Sequence, residues 1–97
     1  MHTEEKILTL LQEQLHIHHL EIQNDSHKHQ GHAGWKETAD THFAITVVAD
    51  EFETLTRIKR HQLIYSILAD LMKDTIHALQ IAAYSKKEWE NKEKKEI

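Results

Sequence analysis

The chain has 97 residues, of which 39% are hydrophobic, so it has room for one small domain with little spare core. Its formal net charge of −4, from 12 basic and 16 acidic residues, argues against a strongly basic nucleic-acid-binding protein, although a local basic patch is compatible with it. The absence of cysteine excludes disulfides, a nucleophilic thiol and thiolate metal ligands from this chain.

The first half of the chain predicts a helix followed by two strands. Thr3, followed by two glutamates, is typical of a helix start, and the helix is expected to end near His16. Apolar residues recur along it at helical spacing: Ile7, Leu8, Leu11 and Leu15. Leu20 and Ile22 then alternate with polar neighbours, as in a half-buried strand. Residues 42–49 predict a second strand by the same alternation.

The second half predicts a turn, a helix and a third strand. The turn covers residues 50–54, and either Thr54 or Thr56 can cap the helix that follows. This helix carries an apolar stripe that we expect to be buried: Ile64, Ile67, Leu68 and Leu71. The third strand is predicted over residues 76–84, with His77 near its start.

The C-terminal segment predicts a short helix and a tail. Ser85 and Glu88 have the spacing of a capping box, and Trp89 anchors the helix that it opens. Residues 1–90 are therefore interpreted as a single domain, and we expect the charged residues 91–97 to be frayed. The predicted order α-β-β-α-β-α indicates an α+β fold, in which helices pack on one face of a three-stranded sheet.

A histidine-rich connection joins the first two predicted strands. Residues 24–41 show no periodicity, and a connection of that length is usually functional or mobile. It contains both glycines of the chain and three of its ten histidines: His27, His29, Gly31, His32 and Gly34. Histidine is a common metal ligand, so the residues alone leave two readings open, ligands or solvated side chains. A zinc or nickel site that uses His29 and His32 is one form of the first reading.

The sequence also excludes or disfavours several classes of protein. It has neither a signal peptide nor an apolar run of the roughly 20 residues that span a bilayer, so we expect a cytoplasmic protein without membrane contact. It shows no nucleophile motif and no phosphate-binding glycine loop, so we do not expect an enzyme.

Several short motifs, taken in their order and spacing, resemble the BolA family from about Thr3 to Trp89. They are Asp25-Ser26, His29, His32, Thr41-His42-Phe43, Val47-Val48, Phe52, Arg60-His61, Ile64-Tyr65, Leu68 and Ile76-His77-Ala78-Leu79. The resemblance implies a BolA-like fold similar to the type II KH domain, in agreement with the predicted element order. The chain departs from the family pattern at Glu53-Thr54, where Phe-x-Gly is frequent, and at Gln62, where a third basic residue is common.

The resemblance also implies a partner and a cofactor. BolA-like proteins typically bind monothiol glutaredoxins and share a [2Fe-2S] cluster, which glutathione and the glutaredoxin's cysteine hold from the other side. On this basis His77 is one ligand, and His29 stands where the family's loop histidine usually falls. His32 is an alternative loop ligand, and His42 is a further candidate. The implied role is iron–sulfur cluster assembly, cluster transfer or iron sensing.

The same resemblance leaves a second function open. Relatives of BolA have been described as transcriptional regulators of cell morphology and stress response, so DNA is the alternative partner. Phosphates would then be contacted by basic side chains of the helical region: Arg57, Lys59, Arg60, His61 and Lys73. No Gly-x-x-Gly loop of the KH type is present between the predicted helices, and the net charge has the opposite sign. We expect the free chain to be a monomer or a weak homodimer.

Overall fold

The computed structural model describes residues 3–25 and 42–95, which form an α+β domain. Its elements are α1 (Thr3–Gln14), β1 (Ile17–Asn24), β2 (His42–Ala49), a 3₁₀ helix (Asp50–Thr54), α2 (Arg57–Ile67), α3 (Ala69–Asp74), β3 (Ala78–Tyr84) and α4 (Lys86–Lys95). The predicted α+β class with a three-stranded sheet is confirmed, but α4 does not pack on the same face of the sheet as α1–α3. The loop histidines His27, His29 and His32 lie outside the described residues.

The three strands form one sheet in the order β1-β2-β3. The strands β1 and β2 are antiparallel, while β3 runs parallel to β2. Ile45 at the middle of the sheet pairs with Ile22 on one side and Ile81 on the other. A parallel pair needs a long crossover connection, and α2 and α3 provide it here.

The core lies between the sheet and helices α1 to α3. One face of β2 is almost completely buried, with Phe43, Ile45 and Val47 each at most 2% exposed. Side chains from the α1 stripe, the 3₁₀ helix and the crossover complete the same cluster: Ile7, Leu11, Leu15, Phe52, Ile64, Leu68, Leu71 and Ile76. Leu8, which the sequence also assigned to the α1 stripe, is 37% exposed and lies outside the cluster. Burial of these side chains supplies the main favourable term in folding.

The crossover differs in two details from its prediction. The single helix expected there is divided at Leu68, whose backbone angles (φ −97°, ψ 12°) end α2 and start α3. Leu68 and Leu71 both stay buried across this division, so the apolar stripe is kept. At the other end of α2, Thr56 rather than Thr54 is the cap, because its hydroxyl oxygen accepts a hydrogen bond from the Lys59 amide at 3.2 Å.

The third strand begins two residues later than predicted. The Ile76 amide donates to the Leu71 carbonyl at 2.7 Å, and the Ile76 side chain is only 1% exposed. Ile76 therefore closes the end of α3 and fills the core, which leaves His77 in a bend before β3.

The last helix packs at one end of the sheet, and its capping box is confirmed. The Ser85 hydroxyl accepts from the Glu88 amide at 3.2 Å, and the Ser85 amide donates to the Glu88 carboxylate at 2.8 Å. Trp89 stacks on His19 at 4.8 Å between ring centroids and lies 5.5 Å from the ring of Tyr84. Both partners alternate with the core-facing residues of their strands, so Trp89 covers the sheet from the side opposite to α1–α3. The helix continues to residue 95 and includes much of the predicted tail.

Candidate functional site

Two histidines lie together at one end of the sheet. His42 is the first residue of β2, and its register partner on β3 is Ala78, which directly follows His77. The centroids of the two imidazole rings are 6.5 Å apart, and the ring planes are inclined by 78°. The His77 side chain is exposed and that of His42 is half-buried.

The backbone holds His42 from both sides. The Asp25 amide donates to the His42 carbonyl at 2.7 Å, which extends the β1–β2 ladder to this residue. The parallel register with β3 fixes its other side. The described ends of the connection between β1 and β2, at Asp25 and His42, are therefore adjacent to the histidine pair.

Strand parity alone does not predict that the two rings meet. His42 alternates with the core residue Phe43, whereas His77 has the parity of the core residues of β3. The rings meet because His77 lies in the bend before β3, where the side-chain alternation of a strand does not apply.

The opposite end of the sheet carries two histidine–carboxylate pairs. His16 Nδ1 lies 2.8 Å from Glu51 Oε2, and His18 Nε2 lies 2.6 Å from Asp50 Oδ1. The hydrogen bond to Glu51 raises the pKa of the exposed His16 above its ordinary value. The hydrogen bond from His18 lowers the pKa of Asp50. These pairs connect the start of β1 and the residue before it to the 3₁₀ helix, and we interpret them as structural contacts.

A groove of about 650 Å³ runs between α2, β3 and α4. Arg57 and His61 of α2 line one side, and Lys92 of α4 lines the other. Ile58, at 72% exposure, adds an apolar surface to the groove. The groove therefore combines basic and apolar side chains, with the carboxylate of Glu88 also in its lining.

The five predicted phosphate-binding residues do not share this groove. Lys59 and Lys73 are exposed but are not among the residues that line it. Arg60 borders it but is only 6% exposed, and its guanidinium group already donates to the Leu55 carbonyl, the Ala83 carbonyl and the Glu88 carboxylate. Arg60 is thus engaged in holding elements together, contrary to its predicted role as a phosphate contact.

The Arg60–Glu88 pair is a feature that the sequence does not reveal. Arg60 Nη1 lies 2.6 Å from Glu88 Oε1, and the two residues are 28 positions apart in the chain. A hydrogen bond from the Ser85 amide, together with that from Arg60, lowers the pKa of Glu88 against the opposing effect of its burial. The capping-box spacing in the sequence predicts the hydrogen bond between Ser85 and Glu88. It does not predict the contact of Glu88 with Arg60.

No described group of three or more histidine, aspartate or glutamate side chains is arranged to hold a metal ion by itself. In residues 3–25 and 42–95, no helix combines the length and hydrophobicity needed to cross a membrane. The arrangement therefore offers a two-histidine site at one end of the sheet and a basic groove on its flank.

The sheet order, the parallel third strand and the crossover helices define a small α+β domain with one three-stranded sheet. The family described as BolA-like protein matches residues 11–88. The chain therefore belongs to the BolA family, and its resemblance to that family is confirmed.

Relatives and solved structures agree with this assignment. The chain is 36% identical over 86 residues to the UV-induced protein uvi31 of Schizosaccharomyces pombe, with 86% of this chain and 84% of that protein covered. It is 38% identical over 71 residues to the DNA-binding transcriptional regulator BolA of Escherichia coli, with 73% and 64% covered, so the match spans less than two thirds of that relative. BolA1 from Arabidopsis thaliana superposes with a TM-score of 0.81 at 33% identity, with 91% and 96% covered.

Proposed function

We propose that the chain binds a monothiol glutaredoxin and provides histidine ligands to a [2Fe-2S] cluster that the two proteins share. Glutathione and the glutaredoxin's cysteine hold the cluster from the other side. The role is non-enzymatic and cytoplasmic, in cluster assembly, cluster transfer or iron sensing. The observation that carries the proposal is the exposed ring of His77 beside His42 at the end of the sheet.

The ligand chemistry of the chain supports this proposal. Without cysteine, it can offer iron only imidazole or oxygen ligands. Histidines replace thiolates on one iron of Rieske-type [2Fe-2S] centres, so two imidazoles are a sufficient contribution from this side. A shared cluster also requires a ligand that a partner can reach, and His77 is exposed.

His77 is the first ligand in this proposal, and the second is a choice among three histidines. His29 and His32 belong to the connection whose described ends, Asp25 and His42, flank the site. His42 needs no loop, because its ring is already near that of His77. The three choices predict different effects when each histidine is replaced singly.

Reconstitution with a monothiol glutaredoxin, iron, sulfide and glutathione tests the proposal. The mixture is expected to give a visible spectrum distinct from that of the glutaredoxin homodimer. The His77→Ala variant should lose this distinct spectrum, whereas His61→Ala, an exposed histidine of α2, should keep it. A spectrum and cluster lability that His77→Ala leaves unchanged would contradict the assignment.

DNA binding is the second candidate function. The groove with Arg57, His61 and Lys92 favours it, as does the printed name of the Escherichia coli relative. Its phosphate contacts are expected from Arg57 and His61 in the groove and from the exposed Lys59 and Lys73 outside it. Arg60 is not expected to contribute, since it is engaged within the protein.

Promoter-fragment retardation without any partner protein tests this second function. Binding that rests on phosphate contacts must weaken as salt rises, because the release of counterions from DNA into a more concentrated salt solution gives a smaller gain in free energy. We expect Arg57→Ala to weaken it and to reduce the salt dependence. If the retardation of the fragment did not change with salt concentration, the phosphate-based mechanism would be contradicted.

A further inference from the structure

We propose that the free edge of β3 binds an extended acidic peptide of a partner protein, which adds to the sheet as a short fourth strand in the groove between α2 and α4. The groove is lined by residues 81–84 of β3, whereas the histidine pair lies beside the start of that strand. The peptide site therefore does not depend on a metal or a cluster. DNA is the alternative occupant of the same groove.

The outer side of β3 is partly closed by side chains of α2. The sheet order β1-β2-β3 makes β3 an edge strand, paired only with β2. The Leu79 carbonyl accepts a hydrogen bond from the Tyr65 hydroxyl at 3.3 Å, and the Ala83 carbonyl accepts one from the Arg60 guanidinium at 3.2 Å. These contacts indicate that Leu79 and Ala83 turn their backbone polar groups away from β2 and towards the free edge.

Ile81 leaves this edge open between the two closed carbonyls. The direction of the backbone groups alternates along a strand, so the amide and the carbonyl of Ile81 point to the same side as those of Leu79 and Ala83. In the described ranges 3–25 and 42–95, no hydrogen bond from a helix, a turn or a side chain reaches the Ile81 backbone. Such an edge is a template for a further strand. The two closed carbonyls are about 13 Å apart at roughly 3.3 Å per residue, so the added strand is short.

The charge of the groove favours an acidic peptide. Its lining carries three basic side chains, Arg57, Arg60 and Lys92, against the single carboxylate of Glu88. That carboxylate is already bonded to Arg60 and to the Ser85 amide. The groove therefore presents a positive surface, with Arg57 of α2 on one side and Lys92 of α4 on the other. Complementary charge favours carboxylates on the partner.

Strand geometry also predicts the order of residues in the peptide. Side chains alternate along a strand, so the peptide residue opposite Ile81 faces the α2 side and its two neighbours face the α4 side. On the α2 side, Ile58 is 72% exposed in the groove lining and offers an apolar contact. On the α4 side lies Lys92. An apolar residue between two acidic residues fits this arrangement, as in the peptide Val-Glu-Val-Glu-Val.

Titration of the full ¹⁵N-labelled chain with this peptide, capped at both ends, tests the proposal by NMR. We expect the Ile81 amide signal to shift on binding. Methylation of the central valine nitrogen removes its donor to the Ile81 carbonyl and should weaken binding roughly tenfold. Arg57→Glu should also weaken binding at least roughly tenfold, because it reverses a charge of the groove. Lys59→Glu, at an exposed position of the same helix outside the groove, is the matched control and should leave the affinity unchanged.

Two further probes decide between the possible occupants. The same peptide with lysine in place of glutamate should bind more weakly, and equal binding would overturn the proposal. Acidic-peptide binding that the central N-methyl group does not weaken would also overturn it, as would the absence of saturable binding. A shift of the Ile81 amide caused by oligothymidylate but not by the acidic peptide would assign the groove to nucleic acid instead. Since no glutaredoxin or cluster is present, these outcomes are independent of the proposed function.

Discussion

Arg60 joins more elements of the molecule than any other charged side chain described above. Its guanidinium group bonds to the carbonyl before α2, to the carbonyl of Ala83 on β3 and to Glu88 on α4. It also lies 6.0 Å from the centroid of the Phe52 ring. A buried charge with several hydrogen bonds is costly to remove, because its partners then lose their donors.

Replacement of Arg60 by alanine should therefore destabilise the fold. We expect a loss of roughly 2–4 kcal/mol in the free energy of unfolding, measured by urea denaturation. Arg57→Ala is the matched control, since Arg57 is exposed on the same helix and should cost no more than about 0.5 kcal/mol. Equal losses in the two variants would show that the contacts of Arg60 contribute nothing specific.

At the residue scale, the sequence predicts candidates but not their geometry. It selected His77 through a resemblance and His42 as a further candidate, and only the structure shows the two rings 6.5 Å apart. The reason is the bend at His77, which depends on how Ile76 closes α3. Arg60 was selected for its charge, but its burial follows from long-range contacts that local sequence does not contain.

At the element scale, most of the fold follows from periodicity. The strand β2 was predicted with its observed bounds, His42–Ala49, because apolar and smaller residues alternate along it. The ends of helices were harder to predict. Two threonines can cap α2, and only the conformation of the 3₁₀ helix decides that Thr56 does so.

The cap of α2 leads to a prediction with a built-in control. Thr56→Ala removes the acceptor for the Lys59 amide and should cost about 1 kcal/mol of stability. Thr54→Ala changes the same residue type two positions earlier, at an exposed site in the 3₁₀ helix, and should cost less than half of that. The urea midpoints of the two variants test whether Thr56 is the cap of α2. A larger loss of stability in Thr54→Ala than in Thr56→Ala would show that it is not.

At the scale of the whole molecule, the sheet has two chemically different ends. At one end, the pairs His16–Glu51 and His18–Asp50 connect β1 to the 3₁₀ helix. Nearby, α4 packs on the sheet through Trp89 and contacts Arg60 through Glu88. The other end carries the His42–His77 pair. We interpret the first end as the structural one and the second as the functional one.

Stability should fall on acidification because Glu88 loses its charge. The lowered pKa of Glu88 means that its contribution is present above its ordinary value of 4.5 and is lost as pH falls through the lowered pKa. Glu88→Gln should therefore be less stable than the parent protein at pH 7, and the difference should shrink at acid pH. Urea denaturation at several pH values measures it, with the exposed Glu90→Gln of the same helix as the control.

The pairing of His16 with Glu51 should make stability depend on pH in the opposite direction. Because its pKa is raised above the ordinary value of 6.5, its pairing with Glu51 stabilises the fold below that value and is lost as pH rises through the raised pKa. His16→Gln should therefore reduce the melting temperature at pH 6 more than at pH 8.5. The effect is expected to be small, since the side chain is exposed. A larger effect at pH 8.5 would reverse the assigned sign.

The central claim, that His77 ligates the shared [2Fe-2S] cluster, is tested most directly by labelling only this chain with ¹⁵N-histidine. After reduction, pulsed electron paramagnetic resonance of the complex with unlabelled glutaredoxin detects nitrogen that is bound to iron. Strong ¹⁵N coupling from this chain is expected in the parent protein and in His61→Ala, with the His77 contribution missing in His77→Ala. A complex in which His77→Ala retains the full ¹⁵N coupling would contradict the account.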